Sequence, residues 1–138
     1  EIIEYVCCIY ATAQLLQPEY LRKGFNILKS GQCTFAFSVT SYAFPVQRSI
    51  RIRPDGYVEP NFPEYVPMRS QDLEEAYHDA GQFYWGKPDS FLEDKPVFSS
   101  ESKPVVLPRY FVQDIDTIED WKMAEFMFLA WQNSKAGE

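Results

Sequence analysis

Apolar and polar positions over residues 4–44 follow a strand, helix, strand order. Residues 4–11 (EYVCCIYA) form an apolar run of strand length, and a second β-rich run (CTFAFSVTSYAF) begins at Cys33. Between these runs, Pro18 stands near a helix start, Gly31 provides a stop, and apolar residues recur as expected of a helix. The pattern predicts a β-α-β unit in an α/β sheet with parallel strand pairing.

The pattern changes at Pro45, where the chain leaves the α/β alternation. In the segment SIRIRPDGYVEP, isoleucines alternate with arginines, a Pro-Asp-Gly turn follows at 54–56, and apolar residues resume after it. This arrangement is typical of a β-hairpin. Residues 60–79 are polar, contain prolines and show no regular period. We therefore expect a hairpin that departs from the main sheet, within an excursion that covers residues 45–78.

Four further elements are predicted in the remainder of the chain. They are an aromatic strand at 80–86 (AGQFYWG), a short helix at 87–94 (KPDSFLED), an extended run at 104–115 (PVVLPRYFVQDI) and a closing amphipathic helix at 116–134. The whole pattern belongs to the α/β class.

Composition and charge restrict the class of protein further. With 138 residues and 46% hydrophobic composition, the chain suits one domain or a large piece of one. A net charge of −7 argues against a nucleic-acid surface, so an anionic ligand would need local cations or a metal. No apolar run approaches the roughly 20 residues that span a bilayer. The odd cysteine count, without a CxxC spacing, favours a reduced, cytoplasmic protein.

Two carboxylates mark the strongest candidate site. In an extended segment, Asp114 and Asp116 project from one face with Ile115 turned into the core, so both can meet one ion. Magnesium takes one or two protein carboxylates and completes its shell with water and phosphates. The alternative is that Asp116 or Thr117 caps the last helix, with Thr117 and Asp120 forming a capping box. The two roles are compatible, and the pattern alone leaves both open.

Other candidate residues carry weaker signals. Arg48 and Arg69 stand at the edges of the hairpin excursion, where a guanidinium suits a carboxylate or phosphate, although most arginines are solvated surface residues. His78 is the single histidine, and a lone histidine is more often structural than catalytic. Tyr84 points away from its neighbours in the aromatic strand, so it is a candidate pocket residue. No G-x-S-x-G nucleophile elbow is present.

Four segments resemble a known family in their order along the chain. They are YVCCIYATA, FAFSVTSYAFPVQR, RSQDLEEAYHDAGQFYWG and VQDIDTIEDWKMAE. Together they resemble the C-terminal two-thirds of the CMP-sialic acid synthetase family, with the pseudaminic acid cytidylyltransferase branch as the closest likeness. The resemblance implies a partial Rossmann-like, three-layer nucleotidyltransferase sheet with a protruding β-hairpin dimerisation arm. Residues 1–138 would be the C-terminal part of a cytidylyltransferase domain, with 45–78 as its dimerisation and sugar-site excursion.

The resemblance also implies a reaction. The complete protein would transfer CMP from CTP to the anomeric hydroxyl of a nine-carbon nonulosonic acid, release pyrophosphate, and act as a homodimer in the biosynthesis of surface glycans. Asp114 and Asp116 match the family's DID ligands for Mg²⁺, whose charge would assist transfer. The substrate-binding residues implied by the resemblance are Tyr84 and Phe98 in the sugar pocket, Arg69 reaching into the neighbouring subunit's site, and Arg48 near another basic position.

Two departures from the family pattern bear on function. The family's ARGGSK-type phosphate loop for CTP has no counterpart in this chain, so we expect the chain alone to be inactive. Where sialic acid enzymes carry a QPTSP-like segment, this chain reads YATAQ at 10–14, so Tyr10 replaces a sugar-contacting glutamine. That exchange favours pseudaminic acid. The alternatives are sialic acid as substrate, another nucleobase, or a non-catalytic dimerisation and sugar-binding fragment or degenerate paralogue.

Overall fold

Residues 2–136 are described by a computed structural model, in which the chain divides into two units. The first unit contains the residues up to Thr40 and those from Asp79 onward, and the second contains Ser41–His78. Glu1, Gly137 and Glu138 belong to the expected range 1–138 but lie outside the described residues.

The described residues form strands and helices in a mixed order along the chain. The strands are β1 (Val6–Ile9), β2 (Phe35–Ser41), β3 (Ile50–Ile52), β4 (Val58–Pro60), β5 (Tyr77–Gly86) and β6 (Lys103–Val106), and the helices are α1 (Pro18–Lys29), α2 (Pro88–Leu92) and α3 (Ile118–Ala136). Four strands form one sheet in the order β1-β5-β2-β6, and β3 and β4 form a two-stranded sheet. The predicted α/β class is confirmed.

The pairing of the first two strands differs from the prediction. β5 lies between β1 and β2, so these two strands do not pair with each other. β1 is antiparallel to β5, whereas β2 is parallel to β6, and the sheet is therefore mixed. The physical reason is burial: β2 and β5 carry apolar side chains that need cover on both faces, whereas half of β1 is exposed and suits an edge.

Strand β5 contributes side chains to two apolar clusters, one on each of its faces. On one face, Phe83 is fully buried and Trp85 donates its indole N–H to the carbonyl of Leu21 in α1 at 3.0 Å. Helix α1 approaches closely there because Gly24 has no side chain; a Cβ at that position would stand 2.8 Å from Cδ1 of Trp85. On the other face, Tyr84 packs with two residues of β2. Tyr84 therefore does face away from its neighbours, as predicted.

The second unit contains the predicted hairpin. β3 and β4 are antiparallel, and Gly56 adopts a positive φ of 85° in the turn that joins them. Isoleucines at 50 and 52 remain exposed, by 58% and 77%. An isolated two-stranded hairpin with exposed apolar residues is marginally stable in water.

Two expectations about the C-terminal region were wrong in part. In the run 104–115, only the start is a strand, and a 3-10 turn at Arg109–Phe111 follows it. Helix α3 forms, but it is not amphipathic: its large apolar side chains are spread around the axis, and Ile118, Trp121 and Phe126 are all exposed. Among residues 2–136, no helix combines the length and apolar composition needed to cross a membrane.

Candidate active site

The segment that carries Asp114 is held in place by two side-chain amides. Nε2 of Gln82, a buried residue of β5, donates to the carbonyl of Phe111. Nε2 of Gln14, in the loop after β1, donates to the carbonyl of Gln113 at 3.0 Å. The segment between the 3-10 turn and Asp114 is therefore held by hydrogen bonds from β5 and from the loop that follows β1.

The carboxylate of Asp114 is exposed but oriented. Its Oδ1 accepts the backbone N–H of Ile115 at 3.0 Å and the hydroxyl of Thr12 at 3.4 Å. The same carboxylate lies against the backbone of Gly81, where an added Cβ would stand 3.7 Å from Cγ and Oδ2 of Asp114. Gly81 has a φ of +62°, a conformation that favours glycine. The carboxylate of Asp114 therefore contacts both the loop after β1 and the backbone of β5 at Gly81.

The helix cap involves Thr117 and Asp120, as the capping-box alternative predicted. Thr117 Oγ1 accepts the backbone N–H of Asp120 at 3.2 Å, and Asp120 Oδ2 accepts the backbone N–H of Thr117 at 2.8 Å. The hydroxyl of Thr117 and backbone amides hold the pKa of Asp120 below its usual range. Asp116 contributes only its backbone N–H to this cap, and among the described residues no hydrogen bond reaches its carboxylate. The cap therefore leaves the Asp116 carboxylate unused.

Three of the predicted sugar-pocket residues lie together in one row of rings. The Tyr84 ring lies 5.2 Å from the ring of Tyr10 and 6.0 Å from that of Phe37, to which it is nearly parallel. Phe37 in turn lies 5.5 Å from Phe98. We call Tyr10, Tyr84, Phe37 and Phe98 the aromatic row. Sequence reasoning missed Phe37, because a phenylalanine inside an apolar strand is usual for a core residue.

Asp79 is a second residue that the sequence prediction missed. Its Oδ2 accepts the hydroxyl of Tyr84, and its Oδ1 accepts the backbone N–H of Gly81 at 2.9 Å. Burial raises the pKa of Tyr84, and the bond to Asp79 raises it further, so the phenol stays protonated. Asp79 and Gly81 both lie in the segment HDAGQFYW, close to Tyr84 in the sequence. That closeness was the signal by which sequence reasoning could have selected them as site residues.

The two candidate arginines belong to the second unit and contact the same 3-10 turn, Ser70–Asp72. Arg48 donates to Oγ of Ser70 at 2.9 Å. Arg69 makes a two-pronged ion pair with Asp72, at 2.8 and 3.2 Å. The ring of His78 packs 4.9 Å from that of Tyr42, a contact consistent with a structural role.

Among the described residues, protein side chains alone do not form a complete metal site. Within residues 2–136, no group of three or more His, Cys, Asp or Glu side chains is arranged to hold a metal ion. A cation at Asp114 and Asp116 would therefore take most of its ligands from water or a bound substrate.

Comparison with known proteins identifies relatives. No protein-family model matches the chain. Two proteins of Campylobacter jejuni subsp. jejuni, from serotypes O:2 and O:23/36, are each named pseudaminic acid cytidylyltransferase; each is 38% identical over 128 residues, covering 93% of this chain and 55% of the relative. The chain is a homologue of these cytidylyltransferases.

The cytidylyltransferase homology confirms the family resemblance in the sequence segments. A third relative, from Helicobacter pylori, is 32% identical over 123 residues, covering 88% of this chain and 23% of the relative. Its name combines pseudaminic acid cytidylyltransferase with UDP-2,4-diacetamido-2,4,6-trideoxy-beta-L-altropyranose hydrolase. The chain matches the C-terminal part of the Campylobacter cytidylyltransferases and spans about half of their length.

Proposed function

We propose that the full-length protein containing this chain is a CMP-nonulosonic acid synthetase. It transfers CMP from CTP to the anomeric hydroxyl of pseudaminic acid and releases pyrophosphate, and its product serves the biosynthesis of surface glycans. The observation that carries the proposal is that β5 places Tyr84 in the aromatic row and Gly81 against Asp114, in a homologue of pseudaminic acid cytidylyltransferases. One strand thus connects a candidate sugar surface to a candidate metal ligand.

The donor set at Asp114 and Asp116 fits magnesium. Both residues are exposed carboxylates, and the capping box leaves the carboxylate of Asp116 without a hydrogen bond among the described residues. Magnesium prefers oxygen ligands and commonly takes one or two carboxylates, with water and substrate phosphates completing the shell. When bound there, Mg²⁺ would offset the negative charge of the triphosphate. Thr12 and the backbone of Ile115 orient Asp114 for that role.

The aromatic row is the proposed wall of the sugar pocket. Its end members, Tyr10 and Phe98, are 47% and 71% exposed, whereas Tyr84 is buried between them. Tyr10 offers a ring and one hydroxyl where the family's sialic acid enzymes offer an amide. That surface suits pseudaminic acid, a 9-deoxy sugar with a second acylamino group, better than the hydroxyl-rich sialic acid.

The second unit supports a homodimer. Its hairpin leaves apolar side chains uncovered, including Ile50, Ile52 and Tyr57, which is 72% exposed. Contiguous exposed apolar surface commonly marks protein–protein interaction sites. We propose that this unit contacts a second copy of the protein and that Arg69 of one subunit serves the sugar site of the other, after exchanging Asp72 for a ligand carboxylate.

The test is pyrophosphate release by the full-length protein with CTP, Mg²⁺ and each sugar in turn. We expect turnover of pseudaminic acid with a kcat/KM at least about 100-fold above that of N-acetylneuraminic acid, because a site that cannot satisfy buried hydroxyls rejects them by a few kcal/mol. Faster turnover of N-acetylneuraminic acid would refute the substrate assignment alone. Sugar binding without turnover of any sugar would favour a non-catalytic binding protein.

A further inference from the structure

The carboxylate of Asp79 connects the two parts of the candidate active site. One oxygen, Oδ2, accepts the hydroxyl of Tyr84 in the aromatic row. The other, Oδ1, accepts the backbone N–H of Gly81, the residue that lies against Asp114. The two contacts give Asp79 a role on each side of the site.

The contact with Tyr84 holds a buried ring. Tyr84 is 6% exposed, so its hydroxyl needs a partner within the protein, and an unpaired buried hydroxyl is costly. Its ring lies parallel to that of Phe37 within 8° and supports the exposed ring of Tyr10 at 5.2 Å. A fixed Tyr84 therefore fixes the surface that Tyr10 presents to a ligand.

The contact with Gly81 forms an Asx turn within β5, in which the side chain of Asp79 accepts the N–H of the residue two positions on. Gly81 adopts a φ of +62°, and a carboxylate that accepts the N–H two residues onward stabilises such a turn. The turn lies behind the carboxylate of Asp114, with 3.7 Å between Asp114 Cγ and the place of an added Cβ. Movement of this turn would change the support of Asp114.

We propose that Asp79 is a positioning residue that holds Tyr84 in the sugar-binding wall and the Gly81 turn behind Asp114. The inference rests on the proposed function, since it assigns effects on the KM for the nonulosonic acid and on kcat. Asp79 acts on the KM through Tyr84 and on kcat through Gly81.

Three variants of the full-length protein separate the two contacts. Asp79→Ala removes both, so we expect the KM for pseudaminic acid to rise about 10-fold and kcat to fall, as for loss of hydrogen bonds to a charged group. Asp79→Asn keeps an oxygen for the N–H of Gly81, so kcat should stay within about 2-fold of the wild-type value. Tyr84→Phe should raise the KM as Asp79→Ala does, and combining it with either Asp79 substitution should add no further rise in KM.

A readout that does not depend on turnover completes the test. The ¹³Cζ resonance of Tyr84, assigned by its absence in Tyr84→Phe, should shift at constant pH in Asp79→Asn and Asp79→Ala, because the phenol loses its carboxylate acceptor. An unchanged resonance overturns the proposal, as does a wild-type KM in Asp79→Ala or full multiplication of the KM effects in the double variants. If Asp79→Ala does not fold, the KM values of Asp79→Asn and Tyr84→Phe decide instead. An equal rise in both supports the proposal, and a wild-type KM in Asp79→Asn overturns it. Absence of turnover in the wild-type protein refutes the proposed function instead, and the resonance then decides the pairing.

Discussion

Substitutions at Asp114 and Thr117 separate metal binding from helix capping, the two roles that the segment DIDTIED allowed. Asp114→Asn keeps an oxygen that can accept the N–H of Ile115 and the hydroxyl of Thr12, contacts that measure 3.0 and 3.4 Å. Thr117→Ala removes the hydroxyl that accepts the N–H of Asp120 at 3.2 Å and donates to its carboxylate at 2.7 Å. The first change removes charge from the proposed metal site, and the second removes the cap.

The expected magnitudes differ between the two variants. Loss of a Thr N-cap costs about 1 kcal/mol of unfolding free energy, which lowers the Tm by roughly 3 °C for a protein of this size. Asp114→Asn alters an exposed side chain whose contacts survive, so its stability should stay within about 0.5 kcal/mol of the wild-type value. Its cytidylyl transfer should fall by about 100-fold, or about 2.7 kcal/mol, because charge in the transition state loses a metal ligand.

Two measurements on the full-length protein test this reasoning. Thermal unfolding followed by circular dichroism gives the Tm, and pyrophosphate release with CTP, Mg²⁺ and pseudaminic acid gives the rate. Thr117→Ala should lower the Tm with a near-wild-type rate, and Asp114→Asn should lower the rate with a near-wild-type Tm. If Asp114→Asn turns over CTP at the wild-type rate, the metal assignment is wrong and capping alone explains the segment. A Tm loss in Asp114→Asn equal to that of Thr117→Ala would also contradict the separation.

Three further predictions follow from the structure. Mixing Arg69→Ala subunits with Asp114→Asn subunits should restore about a quarter of the wild-type activity, because half of the dimers are mixed and each then holds one intact site; no recovery would show that each subunit uses its own arginine. Because the folded-state pKa of Asp120 is lowered, its contribution to stability should be complete above about pH 4 and lost as the pH falls through that lowered value. The free energies of unfolding of Asp120→Asn and wild-type protein, compared across pH 2–7, measure this contribution. A stability difference between them that persists at the lowest pH would contradict the prediction. Gly24→Ala should destabilise the protein by about 1 kcal/mol in urea unfolding, since contacts of 2.8 Å to Trp85 and 2.9 Å to Phe83 outweigh the better helix propensity; increased stability would contradict the close packing of α1 on β5.

Local pattern determined most of the elements of this protein. Pro18 and Gly31 bracket α1, the Pro-Asp-Gly turn joins β3 to β4, and Thr117 and Asp120 form the box that starts α3. Each helix start, helix stop, turn or cap is marked by residues within a few positions of it, so the sequence carries the information directly. The candidate residues Asp114 and Tyr84 were found because short motifs contain them.

Tertiary structure alone decided which elements meet. The insertion of β5 between β1 and β2 depends on burial of both strand faces, and most of β5 is separated from β2 along the chain by the second unit. The aromatic row joins Tyr10, Phe37, Tyr84 and Phe98 from four places in the chain, and Asp79 connects Tyr84 to the turn behind Asp114. No local period encodes such contacts, because they arise when separate strands pack and leave particular side chains within hydrogen-bonding reach.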